Sequence, residues 1–200
     1  MILRKSFFNI NPSRIVGENL REGTFIRRFK AKDGRNVTLR APRWSDLDDM
    51  LEFINSLVEE GAEIQNKTKM TREGEIDWLA RHLSAIEKDK KIAIAAEVDG
   101  RFVGQVDVQP ESGYSQHVGV LGIALRNGYR DIGIGTEMMK ETETQAKRLG
   151  LKVLRLECYA TNGRARHVYE KVGYQVVGCV PKANFKGGAY IDSIVMAKEL

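Results

Sequence analysis

Residues 126–141, RNGYRDIGIGTEMMKE, put an arginine, two glycines one residue apart and a helix-forming run into one short stretch. The first turn of a helix carries main-chain N–H groups without intrahelical partners, and the aligned peptide dipoles add about half a positive charge there. Glycine at 133 and 135 leaves out the Cβ atoms that would hold a ligand away from that backbone, and Arg130 adds a fixed positive charge beside it. The stretch reads as an anion-binding loop that opens a helix over 133–149, with Gly150 as its left-handed cap. A Walker loop is excluded, because Gly135 is followed by Thr136 and Glu137 rather than Lys and Ser/Thr. A dinucleotide fingerprint needs a third glycine where Met138 stands, and the strand–helix alternation of that fold is missing from the N-terminal half. A tight strand-to-helix turn with no ligand is the other reading of the stretch taken alone.

Around this loop the hydrophobic pattern gives an order of elements. TFIRRFKAKDGRNVTLRAP reads as two strands about a Lys32-Asp33-Gly34-Arg35 turn, with Asp-Gly as the turn signal. Ser45 caps a helix over 46–59, in which Leu47, Met50, Leu51, Ile54 and Leu57 recur at helical spacing. Thr71 caps a second, REGEIDWLARHLSAIEK, with Ile76, Leu79, Leu83 and Ile86 on one face and Trp78 joining it. KIAIAAEV and RFVGQVDVQ form a hairpin about Asp99-Gly100, and 116–125 is a further strand. KVLRLECY is a strand, Asn162 opens a short helix, and YQVVGCV and YIDSIVMAKEL close the chain as strands around PKANFKGG. Two hundred residues in the order β, β, α, α, β, β, β, α, β, α, β, β predict an α+β chain with one core.

Charge and chemistry-bearing residues narrow the function. Residues 1–40 hold ten Lys/Arg against three Asp/Glu, a net of +7, while 41–200 hold 22 against 24, a net of −2. The basic excess has no recognition helix or aromatic stacking pattern beside it, so a nucleic-acid partner is not expected and a solvated face is. Cys158 and Cys179 lie in separate strands and read as buried thiols, and His82, His117 and His167 form no metal-ligand spacing, so no metal is expected. No apolar run approaches the length of a membrane span, and the first residues lack a signal peptide's cleavage pattern. The chain is expected to be soluble and cytoplasmic.

Two segments together carry a resemblance. YRDIGIGT resembles the Arg-x-x-Gly-x-Gly motif of the GCN5-related N-acetyltransferases (GNAT), and ATNGRARHVYEKVGYQVVG, about thirty residues on, is similar to that family's Asn-x-x-Ala-x-x-x-Tyr segment. The closing GGAYIDSIVMAKEL resembles the end of some members that act on small amines and proteins. The resemblance covers 36–200 as an acetyltransferase domain and leaves 1–35 as a basic extension with an added strand. It implies a central mixed, mostly antiparallel sheet with helices on both faces and a V-shaped split between the fourth and fifth strands. It also implies acetyl-CoA as co-substrate and an acetyl transfer to a primary amine of a protein (lysine or N-terminus) or a small molecule. The transfer would proceed by direct attack in a ternary complex. A non-catalytic acyl-CoA sensor or a nucleic-acid-associated module is the alternative, and a homodimer is open.

Carried over by position, Arg130, Asp131, Ile132, Gly133, Ile134, Gly135 and Thr136 would hold the diphosphate, mostly through main-chain N–H groups. Ile123 and Leu125 would offer backbone groups to the pantetheine, with the Leu125 N–H as oxyanion donor. Asn162 would bond the same arm, and Lys171 and Arg126 would reach phosphates. Asp131 departs from the family, which has Gly, Arg or a neutral residue there; it is expected to face solvent or pair with a cation. Tyr169 matches the tyrosine that protonates the leaving thiolate and also contacts the cofactor. His117, eight residues before Leu125 and so on the same strand face, is the candidate base, with a water chain or a packing histidine as the other readings. Glu157 and Asp192 are possible acceptor-side carboxylates.

Overall fold

The computed structural model describes residues 19–200. Residues 1–18, the first half of the basic extension, lie outside the described residues. The strands are β1 (Phe25–Lys30), β2 (Asn36–Arg40), β3 (Ile92–Val98), β4 (Arg101–Pro110), β5 (Val118–Leu125), β6 (Val153–Tyr159), β7 (Gln175–Lys186) and β8 (Ala189–Glu199). The helices are α1 (Leu47–Glu59), α2 (Arg72–Glu87), α3 (Ile134–Arg148) and α4 (Gly163–Lys171). All eight strands join one sheet in the order β1-β2-β3-β4-β5-β6-β8-β7. Every neighbouring pair is antiparallel except β5 and β6. The α+β architecture and the mixed, mostly antiparallel sheet expected from the sequence are present.

Helices cover both faces because β5 alternates. A Cβ added at Gly135 would stand 3.3 Å from Leu125 Cδ1 and 3.8 Å from Ile123 Cδ1, so those two side chains lie under α3. Val120, Gly122 and Ala124 face the other way and share a cleft with Phe53 of α1 and Trp78 of α2. The entry to α1 is fixed by a buried fork: both terminal nitrogens of Arg40 bond the Asp46 carboxylate at 2.7 Å, and its Nε bonds Glu97 at 2.9 Å. Thr71 caps α2 by accepting from the Gly74 N–H, and Asn162 caps α4 by accepting from the Ala165 N–H.

The closing hairpin differs from expectation. PKANFKGG reads as a loop, yet β7 runs on through Pro181 to Lys186 and turns only at Gly187-Gly188. Proline is tolerated because β7 is the edge of the sheet, and the pairing is interrupted between Val180 and Asn184. Lys182 takes a left-handed φ of 54° in that interruption and donates its main-chain N–H to Asp192. Cys158 is buried as expected, whereas Cys179 on this edge is exposed.

His82 sits buried on α2 with its ring stacked on Trp78, one helical turn earlier, at a centroid distance of 4.4 Å. Burial, with the Lys91 charge second, pushes its pKa from 6.5 down to about 3. The unfolded chain therefore binds this proton more readily than the folded one. The stability gained from a neutral His82 is complete above pH 6.5 and is lost as the pH falls toward 3, at up to about 1.4 kcal/mol per pH unit. Urea unfolding between pH 7 and 4 is expected to show this loss and His82→Gln to flatten it; an equally steep slope in the variant would contradict the assignment.

Candidate functional site

The site begins where two strands stop pairing. The β5 and β6 register contains only Val118–Val120 against Val153–Arg155, although β5 continues to Leu125 and β6 to Tyr159. Counted from β2, these are the fourth and fifth strands. The Arg126 N–H bonds Val103 O at 2.8 Å, next to the Gly104 and Leu125 pair. In an antiparallel pair alternate residues turn both main-chain groups to the same partner. Arg126, Ala124 and Gly122 thus face β4, and Leu125, Ile123 and Leu121 turn their N–H and C=O toward the place β6 has left.

Below this gap lies a cavity of about 580 Å³ whose wall contains Ile123, Leu125 and the glycine loop. Gly133, with φ 91°, is the residue before α3, and no side chain caps that helix. Asp131 is also left-handed, at φ 64°, a region open to glycine and to few other residues, asparagine and aspartate among them. Its side chain is 63% exposed and pairs with Arg164 at 3.6 Å, which keeps its charge out of the loop. The lining carries Lys32, Arg130, Arg164, Lys171 and Lys186 against Glu63 and Asp131. An uncapped helix start, glycines that leave the backbone bare and a cationic wall fit a phosphate-bearing ligand.

Above the gap is a larger cleft of about 810 Å³, between the α1–α2 side and the outward face of β4, β5, β6 and the β7–β8 hairpin. Its charge is reversed: Glu63, Glu75, Asp107 and Glu157 line it with one basic residue, Arg155. Three of these are tied, Asp107 to Lys91 at 2.8 Å, Glu157 to the Ser193 hydroxyl at 3.1 Å and to Arg155 at 3.5 Å, and Glu63 to the Thr161 hydroxyl. Burial pushes the Glu75 carboxyl above its ordinary value. The cleft and the cavity share Ile123, Ala124, Asn162, Tyr169 and Glu63, and there the two spaces meet. Tyr169 is 8% exposed, and burial, then the Cys158 charge, raise the pKa of its phenol well above 10.

Most of the residues singled out in the sequence converge on this junction. Arg130, Asp131, Gly133, Gly135, Thr136, Asn162, Tyr169 and Lys171 line the cationic cavity with Ile123 and Leu125. Ile134 is buried, and Ile132 gives its carbonyl to the Lys32 N–H at 3.0 Å, so these two side chains lie outside the lining. The Arg130 side chain is a brace: its Nε donates to Leu125 O at 2.8 Å and a terminal nitrogen meets Glu60. Asn162 uses its side-chain oxygen on the Ala165 N–H, which leaves its NH₂ to donate. Arg126 is buried against Glu52 and Phe53 and lines neither space.

His117 is not brought to the junction. It is exposed, precedes β5, and its carbonyl accepts from the N–H groups of Lys152 and Val153. Eight strand residues separate it from Leu125, about 26 Å at the usual rise. Glu157 lines the cleft; Asp192 lines neither space and holds the β7 irregularity. Sequence reasoning missed Lys32, whose side chain lies over Gly133, 3.8 Å from where a Cβ would stand. It also missed Lys186, which reaches across from the closing hairpin to Gly61 O at 2.5 Å. Glu63 and Glu75 carry no sequence-local signal either.

Comparison with known proteins agrees with this geometry. The family model described as "Acetyltransferase (GNAT) family" matches residues 51–174. L-amino acid N-acetyltransferase AaaT of Escherichia coli is 30% identical over 108 residues, which cover 52% of this chain and 66% of that protein. A second relative, from Xenopus tropicalis, is covered over 36% of its length, so the chain spans less than two thirds of these first relatives. A GNAT-family acetyltransferase from Streptococcus pneumoniae superposes with a TM-score of 0.73 at 24% identity, covering 82% of this chain and 99% of that one. A phosphinothricin acetyltransferase from Sinorhizobium meliloti, solved in complex with AcCoA, gives 0.73 at 19% identity over 82% and 88%. The chain belongs to the GNAT acetyltransferase family.

Proposed function

We propose that the protein transfers an acetyl group from acetyl-CoA to a primary amine by direct attack, both reactants being bound together. The observation that carries this reading is the meeting of two oppositely charged spaces at one opened strand edge. The cationic cavity suits an anionic cofactor, and the acidic cleft suits an acceptor that arrives as an ammonium ion. A sensor that only bound acyl-CoA would have no use for the second space.

Main-chain N–H groups at Gly133, Ile134, Gly135 and Thr136, helped by the side chains of Lys32 and Lys171, hold the diphosphate. The edge of β5 at Ile123 and Leu125, with the Asn162 NH₂, holds the pantetheine arm along the gap. Acetyl-CoA, when bound, supplies the thioester carbon that the amine attacks. The Leu125 N–H, turned into the gap, is the donor for the oxyanion, and Arg130 fixes that residue through its carbonyl. A carbon–nitrogen bond forms, the carbon–sulfur bond breaks, the Tyr169 phenol gives its proton to the leaving sulfur, and the second proton that the nitrogen sheds as the amide forms restores the phenol.

The incoming ammonium must first lose a proton. Glu63 is the carboxylate that lines both spaces, and we assign it this step, directly or through water, in place of His117. Thr161 donates its hydroxyl to Glu63 and steadies it. The acidic lining of the cleft favours a basic acceptor.

Tyr169→Phe is expected to lower kcat by about 10²-fold and leave the KM for acetyl-CoA nearly unchanged in steady-state assays of thiol release; an unaltered kcat would remove the tyrosine from the chemistry. Glu63→Gln should cost about tenfold in kcat at pH 7 and less at pH 9, where more of the amine is already neutral. A loss independent of pH would contradict its role as proton acceptor. Gly135→Val, which crowds Leu125, should weaken coenzyme A binding by about tenfold or more in calorimetry; unchanged binding would move the cofactor elsewhere.

A further inference from the structure

Two buried side chains in the acidic cleft carry polar atoms without a partner. Glu75 is 4% exposed and, among the described residues, its carboxylate has no hydrogen bond or ion pair. Gln105 is 8% exposed; its Nε2 lies 3.2 Å from His82 Nε2, and its Oε1 is buried without a partner. Both line the cleft and neither lines the cofactor cavity. Burying an unpaired carboxylate and an unpaired amide oxygen is costly, so such groups persist where a ligand completes them.

Their surroundings define that ligand. The Gln105 oxygen can only accept a hydrogen bond, and burial without a countercharge disfavours the Glu75 carboxylate, so the partner that answers both donates N–H groups and is positive. Glu75 and Trp78 stand one turn apart on α2, and Trp78 stacks on His82, which in turn holds Gln105. The carboxylate, the indole and the amide therefore form one connected wall. It faces sheet positions Asp107 and Gly122, with Gln105 directly across from Ala124 at the junction. An acceptor whose reacting nitrogen lies at the junction can run its remaining atoms along this wall.

We propose that Glu75 and Gln105 form a second cation subsite, so that the acceptor carries a further ammonium or guanidinium group besides the amine that is acetylated. This rests on the acetyl-transfer reading and specifies its substrate class as dibasic. Asp107 is already neutralised by Lys91 and Glu157 is held by Ser193, which leaves Glu75 as the cleft carboxylate with its charge unanswered at the end away from the junction.

The test is calorimetric and needs no turnover. 1,5-Diaminopentane and n-pentylamine, equal in chain length, are titrated into the protein with and without coenzyme A at one ionic strength. The diamine is expected to bind at least tenfold more tightly than the monoamine. Glu75→Gln, which keeps the shape and removes the charge, should abolish that difference, and Gln105→Leu should reduce it. Coenzyme A affinity should stay within twofold in both variants, which also reports that they are folded. Equal binding of the two amines by the wild type, or a difference that survives Glu75→Gln, would overturn the subsite. Failure of coenzyme A itself to bind would instead overturn the acetyl-transfer reading, while the two amines, titrated alone, would still decide the subsite.

Discussion

The hydrogen bonds that β5 and β6 do not make shape everything else in this molecule. A central strand normally has both edges paired, and a buried main-chain group left without a partner costs about 1–3 kcal/mol. Here pairing ends after three residues, and the N–H and C=O groups of Leu121, Ile123 and Leu125 turn into an opened gap. The rest of the sheet is regular enough to support that interruption. Gly104, directly opposite Leu125, lets β4 approach so closely that a Cβ would come within 2.6 Å of Ala124 O. Arg130 closes the far end by bonding the Leu125 carbonyl. The gap is thus an exposed strand edge kept inside the protein, where an extended arm can complete the ladder.

Charge is sorted on either side of that gap. Lysine and arginine side chains gather with the bare start of α3 in one space, and carboxylates gather in the other. The sorting depends on details that would otherwise look like defects. Asp131, an acid in the loop, is turned outward by a left-handed backbone and tied to Arg164. Glu75 is buried without a countercharge. The two charge signs thus stand on opposite sides of one strand edge.

The sequence disclosed what is set locally. Helical spacing, the Thr71 and Asn162 caps, the Asp99-Gly100 turn and the glycine loop depend on neighbours a few residues away, and each stands where the pattern placed it. The fold class and the position of the glycine loop followed from these. What long-range packing sets was not readable. Lys32 reaches Gly133 because the β1–β2 turn packs on the loop before α3, where its N–H bonds Ile132 O and Arg27 of β1 pairs with Glu137, a contact between residues a hundred positions apart. His117 is a different case: period-two alternation gives the face of a strand, and the eight-residue spacing itself puts it about 26 Å from Leu125 at the usual rise. Pro181 reads as a break, yet an edge strand accommodates it. Glu75 carries no local signal, and its burial shows only in the packed structure.

The most direct measurement is a crystal structure of the protein with coenzyme A bound. The account predicts the diphosphate on the main-chain N–H groups of Gly133 to Thr136, the pantetheine paired with the β5 edge between β5 and β6, and the sulfur beside Tyr169. A cofactor bound anywhere else, or a gap closed by continued β5–β6 pairing, would contradict it.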